Sequence, residues 1–442
     1  MSESPLGVGV LSLHSSKETK AILNAVEAMG HRPEWLRREN TTVEVADGGL
    51  TIEPDVDVVL NRLLLSNTSQ PCEHVGLART VANAVPTLND PAATLTAIHK
   101  FATATQLVDA GVRVPDAFLA LDDGRLNEGL GRFGEEAVYK TAIGTHGGGT
   151  WKIGAGDHIN ARVGDRVAFL QSLIGGDGGP DRDLRVYVVG AEIVGAMYRY
   201  APENDWRTNV ALGGSVEPAT DLPDEAAEFA VTATQAIGLD YAGVDLVEGE
   251  EGWYVLEVNP TAGFKGLFRA TGRSPAPILA AKAIEHAGGI VDPGTVDRLA
   301  ETLDDSQPAC TPKPVGGPAG EPKTVGYTEE VLVSGTSDTQ RVVAKSDTGA
   351  SRTSIDTQLA ATIGAGPIKD MTRVKSGSMK SGKTRPVVDI VVGVGGDRHT
   401  VAASLEDRSH MEYSLLLGRD ILGNYRVDVG RRVEDRDGDS EE

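Results

Sequence analysis

AGVDLVEGEEGWYVLEVNPTAG, residues 242–263, places two β-rich runs around a short acidic loop, Glu250-Glu251-Gly252. A three-residue hairpin loop ending in glycine suits the left-handed position that such loops require. Pairing Gly249 with Trp253 then sets Asp245 opposite Glu257, and Asn259, two residues further on, projects from the face that carries Glu257. Two carboxylates and an amide therefore converge. Facing carboxylates repel, so the pair calls for a positive charge between them. An oxygen-only set without nearby histidine or cysteine favours magnesium or manganese over zinc. The same letters also describe a solvated acidic strand edge, and the surroundings of the hairpin must decide between the two.

Polyphosphate binding needs positive charge, backbone donors and a metal, and elements of the first two types stand upstream of the hairpin. Residues 91–110 read as one helix that opens on proline, stops at Gly111 and carries Lys100. Residues 136–141 read as a strand carrying Lys140, followed by Gly144, Gly147, Gly148 and Gly149, whose missing side chains would let backbone amides approach phosphate oxygens. Alone, this is an ordinary flexible turn, and Lys100 alone is an ordinary helix lysine. Together with Asp245, Glu257 and Asn259 they supply the positive charge, backbone donors and metal ligands of phosphate chemistry.

The rest of the chain sorts by pattern. Residues 6–13 read as a buried strand and 17–29 as an amphipathic helix with Ile22, Leu23 and Val26 on one face, followed by strands at 32–36 and 56–60. This predicts an α/β N-terminal domain over residues 1–90, with no glycine fingerprint after its first strand. Strands over 183–200, a helix over 223–237 and the hairpin make residues 91–290 α+β. Proline, glycine and acidic residues accumulate between 304 and 323, which predicts a linker over 291–323. Short β-rich runs around Val331, Arg341, Val387 and Thr400 predict a small all-β domain over 324–432, ahead of an acidic tail, 433–442.

At 442 residues the length prior is roughly three domains. The net charge of −22, from 64 acidic and 42 basic residues, argues against general nucleic-acid binding, so an anionic ligand must be held by local groups. Only 14 of the basic residues are lysine, and such an acid-rich, lysine-poor composition suits a halophilic source. Cys72 and Cys310 are the only cysteines, which excludes a disulfide framework. With neither a leader pattern nor an apolar run of about 18 residues, a cytoplasmic protein without a membrane partner is expected.

In their order, Asn61-Arg62, Pro-Thr-Leu-Asn-Asp-Pro, Lys100, Val-Tyr-Lys, the glycine loop, Asp-Leu-Arg, Trp-Arg-Thr-Asn, Gly213-Gly214 and Glu-Val-Asn-Pro-Thr-Ala-Gly resemble the RimK-type ATP-grasp ligases, the alpha-L-glutamate ligase family, over residues 6–290. The resemblance implies ATP and two Mg2+ or Mn2+ ions as cofactors. It places Lys100 and Lys140 on phosphates, the backbone of Ser172 and Leu173 on adenine, and Asp183 near the ribose. Arg207, Thr208 and Asn209 match the family's arginine-serine-asparagine segment near the phosphates, Arg199 would meet an acyl-phosphate, and Asp245, Glu257 and Asn259 would carry the metals. Gln171-Ser172-Leu173 departs from the family's glutamine-glutamate-phenylalanine, and Ala211-Leu212 stands where relatives often carry basic residues. The implied partners are a carboxylate acceptor, either a protein C-terminus or a small molecule, and an amino-acid donor, glutamate in many members.

Near the other end, Asp347-Thr348-Gly349 inside VVAKSDTGAS, with LLLGRDIL at 415–422, resembles retropepsin-like aspartic proteases. With RVKSG at 373–377 it is similar to the domain known as an ATP-dependent zinc protease and associated with RimK-type ligases. The resemblance implies a retropepsin-like barrel. One Asp-Thr-Gly per chain makes an Asp347 dyad possible only in a homo-oligomer, and the triplet also describes a plain tight turn. His399 and His410, without a His-Glu-x-x-His pattern or a cysteine in this domain, do not make a zinc site. The expected activity is ATP-dependent ligation of a carboxylate to an amine. The alternative is an ATP-binding regulatory module coupled to a peptidase or peptide-binding domain.

Overall fold

Gly7–Leu11 is buried along its whole length, as a strand with neighbours on both edges and both faces must be. In the computed structural model it lies second in a parallel sheet ordered Arg32–Leu36, Gly7–Leu11, Val58–Asn61, Thr87–Leu88. The structure describes residues 4–68, 70–144, 149–175, 182–202, 206–208, 214–312, 322–374 and 383–433. The chain divides into two units, residues 1–314 and 315–442.

In the first unit, helix Lys17–Ala28 starts at Ser16, whose hydroxyl accepts from the Thr19 amide, and it buries the expected Ile22, Leu23 and Val26. These side chains pack with Trp35, with Leu279 and Ile284 of helix Ala276–His286, and with Tyr187, Tyr241 and Phe264. The N-terminal sheet thus shares its core with the elements around the hairpin. An antiparallel pair, Thr42–Ala46 with Gly49–Glu53, was not expected from the sequence. It is mostly exposed and carries too few buried apolar positions to give a strong period of two.

A five-stranded antiparallel sheet runs Ser215–Pro218, Glu192–Tyr200, Arg182–Val189, Tyr241–Gly249, Gly252–Asn259. Helix Asp224–Ile237 lays Ala226, Ala230, Ala233 and Ile237 on its apolar face, against Val186, Val244, Leu246 and Val255. A smaller sheet is built on Arg166–Ser172, Glu136–Thr141 and Thr150–Gly154.

Two expectations are corrected here. Residues 91–110 form two helices, Pro91–Ile98 and Lys100–Asp109, broken at His99. The His99 ring caps the second by accepting from the Ala102 amide at 3.1 Å, and the Lys100 amide is drawn to the Ala142 carbonyl at 2.8 Å, a bond between distant segments that a continuous helix would forgo. The stretch from 291 is not loose at its start either. Helix Pro293–Ala300 forms there, Asn24 donates to the carbonyls of Asp304 and Ser306, and Lys17 pairs with Asp305 at 2.5 Å.

The second unit is a closed six-stranded barrel. Its order is Thr328–Ser334, Thr339–Ser346, Leu415–Leu417, Ser354–Asp356, Asp397–Glu406, Lys383–Val394, and Leu332 to Ser334 return to pair with Gly393 to Val391. Ile368–Val374 adds an edge strand to Lys383–Val394. Val331, Val333, Ile355, Ile390, Leu415 and Leu417 fill the interior.

One side chain joins the N-terminal sheet to the hairpin. Fully buried Asn89 donates to the carbonyls of Tyr241 at 2.9 Å and Pro260 at 3.2 Å, and its oxygen accepts from the amides of Asp240 at 2.7 Å and Tyr241 at 3.0 Å. Asn89→Ala removes every partner at once and is expected to cost about 3 kcal/mol in urea unfolding. A loss below about 1 kcal/mol would mean that water replaces the amide.

Candidate functional site

The hairpin reaches its expected pairing by an unexpected route. Gly249 pairs with Gly252, not with Trp253, so the loop holds two residues and the first rungs are one residue out of the expected register. A bulge between Asp245 and Leu246 then takes up one extra residue on the facing strand, Leu256, and restores Asp245 opposite Glu257. Gly252 has φ 111°, the left-handed region that its position requires. Because of the bulge, Leu256 and Glu257 both face the same cleft of about 330 Å3, together with Asp245 and Asn259.

Asp245 is 5 % exposed, so its charge must be matched. Arg185, its cross-strand neighbour, supplies a two-pronged contact, Nε to Oδ1 at 2.5 Å and Nη2 to Oδ2 at 2.6 Å. Arg199 Nη2 lies 3.1 Å from Oδ2 and Asn259 Nδ2 donates to the same oxygen at 3.2 Å. Burial pushes the Asp245 carboxyl up, but the Arg185 and Arg199 guanidiniums outweigh it and hold the group at about 2. Arg199 also forks onto its own cross-strand partner Asp183, whose Oδ2 accepts from Thr208 Oγ1 at 2.6 Å. There burial prevails over Arg199 and raises the carboxyl.

Glu257 pairs with Lys100, Nζ to Oε1 3.3 Å, and Lys100 also donates to the Gly144 carbonyl at 3.1 Å. Lys140 is buried, and desolvation lowers its ammonium to about 8 against the opposing charge of Glu257. The positive charge that the facing carboxylates call for is therefore already present in Arg185, Arg199, Lys100 and Lys140. Arg185 is the residue that sequence reading passed over. Its signal was available: it sits two residues from Asp183 on one strand, so the two share a face, but only the strand register sets it against Asp245.

Lys100, Lys140, Ser172, Leu173, Arg207 and Thr208 all line the cleft, as do Asp183 and Arg199. Gly149 does not. It closes the strand pair with φ 81°, its carbonyl accepting from the Thr141 amide at 2.8 Å, and a Cβ there would lie 2.4 Å from Thr141 Oγ1. Gly147, Gly148 and Asn209 lie outside the described residues. The Ser172 amide is committed to the Asp116 carbonyl at 2.8 Å. Lys152, another residue the sequence did not single out, lies over the Trp206 ring at 4.9 Å on the rim.

For a metal, the donors are two carboxylates and the Asn259 amide oxygen, left as an acceptor because its nitrogen faces Asp245. Among the described residues no group of three or more histidine, cysteine, aspartate or glutamate side chains could hold one. An oxygen-only set of this kind fits a hard divalent cation and not zinc.

In the barrel unit, Asp347 Oδ1 accepts from the amides of Gly349 at 3.0 Å and Ala350 at 3.2 Å, so the triplet forms a tight turn, which Arg419 braces by donating to the carbonyls of Thr348 and Gly349. Beside it Asp420 accepts from Thr353 N and Oγ1 at 2.9 and 2.8 Å, and the same hydroxyl accepts from the Gly418 amide at 3.1 Å.

A cleft between a glycine-turn sheet and a larger antiparallel sheet, with lysines on one wall and a carboxylate-amide hairpin on the other, defines an ATP-grasp ligase. Comparison with known proteins agrees. The model of the RimK-like ATP-grasp domain matches residues 97–282, and that of the retropepsin-like aspartic endopeptidase RimB matches 357–436. A probable alpha-L-glutamate ligase 2 of Hahella chejuensis is 30% identical over 285 residues, 61% of this chain and 92% of the relative. The tetrahydromethanopterin:alpha-L-glutamate ligase of Methanocaldococcus jannaschii is 32% identical over 210 residues, 46% of this chain and 71% of the relative. Among solved structures, the ATP-grasp ligase PsnB complexed with minimal precursor superposes with a TM-score of 0.51 at 22% identity, over 63% of this chain and 98% of that one, a likeness of fold. The chain belongs to the RimK-like ATP-grasp ligases and carries a RimB-like, retropepsin-like domain at its C-terminal end.

Arg185→Met leaves buried Asp245 with the Arg199 guanidinium and the Asn259 amide and is expected to cost about 3 kcal/mol in denaturant unfolding, while Arg185→Lys, which keeps the charge but not the fork, costs less. In the barrel, Asp420→Ala strands the Thr353 donors and should lower its stability by about 2 kcal/mol, read as an earlier unfolding transition.

Proposed function

We propose that residues 91–290 bind ATP with a divalent cation, magnesium or manganese, and join a carboxylate to the amine of an amino acid, glutamate by the relatives' names. The observation that carries this is the charge of the cleft. Lys100, Lys140, Lys152, Arg182, Arg185, Arg199 and Arg207 line it against Asp183, Asp245 and Glu257, a positive site in a chain of net charge −22. Such a site concentrates polyanions against the overall field.

Joining a carboxylate to an amine needs a leaving group, because a carboxylate oxygen is too basic to depart. Transfer of the γ-phosphoryl group to the acceptor carboxylate gives an acyl-phosphate, from which the amine displaces phosphate. Lys100 and Lys140 are suited to neutralise phosphoryl oxygens as charge moves between them. Arg199 and Arg185, fixed by their carboxylate partners, present a preorganised positive field at the hairpin. Arg207 and Thr208 stand on the same wall, with Asn209 following them in the chain. The Ser172 carbonyl and the Leu173 amide are the backbone groups left to face adenine. Asp183 is so committed to Arg199 and Thr208 that it would meet a ribose through its remaining lone pairs. Glu257, Asn259 and Asp245 would hold a divalent cation, whose chemistry there would be to neutralise phosphate charge.

For the barrel unit the turn geometry favours a binding or structural role for Asp347, and a peptidase would need a second copy of the chain. Asp347→Asn distinguishes the two, since unchanged peptide cleavage would exclude an aspartic dyad.

Glu257→Gln is expected to lower ATP-dependent phosphate release at least 100-fold with a working acceptor, while leaving the melting temperature within a few degrees, because Glu257 is partly exposed. Undiminished release would overturn the assignment. Mass spectrometry of candidate acceptors incubated with ATP, magnesium and single amino acids identifies donor and acceptor together through the mass increment.

A further inference from the structure

The N-terminal parallel sheet has a second crevice. From strand Gly7–Leu11 the chain passes to Arg32–Leu36 on one side and then crosses to Val58–Asn61 on the other. The carboxyl ends of Gly7–Leu11 and Val58–Asn61 therefore diverge at a switch point, where open α/β sheets take their ligands. Arg62 stands at the end of one of these strands, and Ser12 and His14 follow the other. Helix Lys17–Ala28 begins beside them, its N-terminus favouring an anion. The loop that leaves the metal-ligand hairpin, Thr261 to Phe264, forms the opposite wall.

Arg62 is 4 % exposed, and its Nε and Nη1 are buried without a hydrogen-bond partner among the described residues. Its remaining nitrogen reaches the carbonyls of Thr261 and Ala262 only at 3.5 Å, and its guanidinium lies 5.3 Å from the centre of the Phe264 ring. No carboxylate is paired with it among the described residues: the Tyr241 hydroxyl, which gives its proton to the Asn61 carbonyl at 2.6 Å, turns its oxygen towards Arg62 as a neutral acceptor, and Glu18 Oε1 accepts from the Phe264 amide at 3.3 Å. The His14 ring faces Ser12 Oγ at 3.3 Å and is held towards its neutral form by burial and by the Arg62 charge. A buried guanidinium with unmatched donors is costly unless a ligand completes it.

We infer that this crevice receives a free carboxylate of the incoming amino acid, with the Arg62 guanidinium as its counter-ion. The inference rests on the ligase reading: the acceptor carboxylate that is phosphorylated must lie in the metal and phosphate cleft, whereas a carboxylate of the amino acid stays unreacted and needs a cation of its own. Thr261, Ala262 and Gly263 line the nucleotide cleft on one side and meet Arg62 or its neighbours on the other, so an amino acid anchored at Arg62 is one loop away from the site of its attack. On its other side Arg62 borders a cavity of about 10 Å3, room for one water, among Tyr187, Tyr241, Phe264 and Leu279. A carboxylate enters by displacing the two long carbonyl contacts, which are the weakest bonds this loop makes to Arg62.

The test uses the full chain with ADP and Mg2+, measuring ADP affinity and the binding of L-glutamate, isoglutamine and glutamine. Wild type should prefer glutamate at least tenfold over one of the two amides, and Arg62→Met should abolish that preference. A merely structural role would weaken all three ligands alike and leave the preference intact, which would overturn the inference. So would ADP binding without glutamate binding, or a wild type that ignores amidation of both carboxylates. If Arg62→Met does not fold, the wild-type contrast between glutamate and its amides still decides, with Arg62→Lys expected to retain part of the preference. Absence of ADP binding would instead overturn the ligase reading beneath it.

Discussion

Four charges buried on one sheet govern this molecule. Asp183, Arg199, Asp245 and Arg185 lie on neighbouring strands and are bonded in sequence, each carboxylate facing a guanidinium across a strand pair. Buried charges are tolerated only in such company. The arrangement fixes the register of three strands, since a slip of one residue would turn every member to the apolar face under helix Asp224–Ile237. It also leaves the wall of the cleft preset before any substrate arrives, the condition under which electrostatic stabilisation costs no reorganisation.

The same network determines how the unit holds together. The hairpin carries ligands at one end and exits into the loop that Asn89 and Arg62 contact from the N-terminal sheet. Because Trp35, Tyr187, Tyr241 and Phe264 belong to one core, the N-terminal sheet and the ligand hairpin cannot shift independently without opening that core. The crevice at Arg62 and the cleft at Lys100 are consequently two faces of one support.

Much of this was legible in the letters. Asp245, Glu257 and Asn259 were legible because strand alternation is a local rule, and Lys140 because a lysine ahead of clustered glycines is a local pattern. The register, however, was right at Asp245 for a reason the letters did not contain. The loop is shorter than its glycine suggested, and a bulge at Leu256 compensates. The break at His99 was hidden because propensity favours one helix there, and the competing bond comes from Ala142, more than forty residues away. The expected linker over 291–323 gives way at its start to helix Pro293–Ala300, and composition says nothing of Lys17 and Asn24, which hold residues 304–306.

By itself, the sequence determined the family, through an ordered set of ATP-grasp motifs, and with it a carboxylate-amide hairpin, two lysines upstream, alternating elements and a separate β-rich unit. These follow from side-chain identity and from periods of two and 3.6 residues, which are properties of neighbours along the chain. Only the tertiary structure decided which cation answers each carboxylate, where the hairpin bulges, which core helix Ala276–His286 completes, and that Arg62 is buried with donors to offer. Those outcomes depend on desolvation and on contacts between segments as much as 288 residues apart, and no local pattern carries their energies.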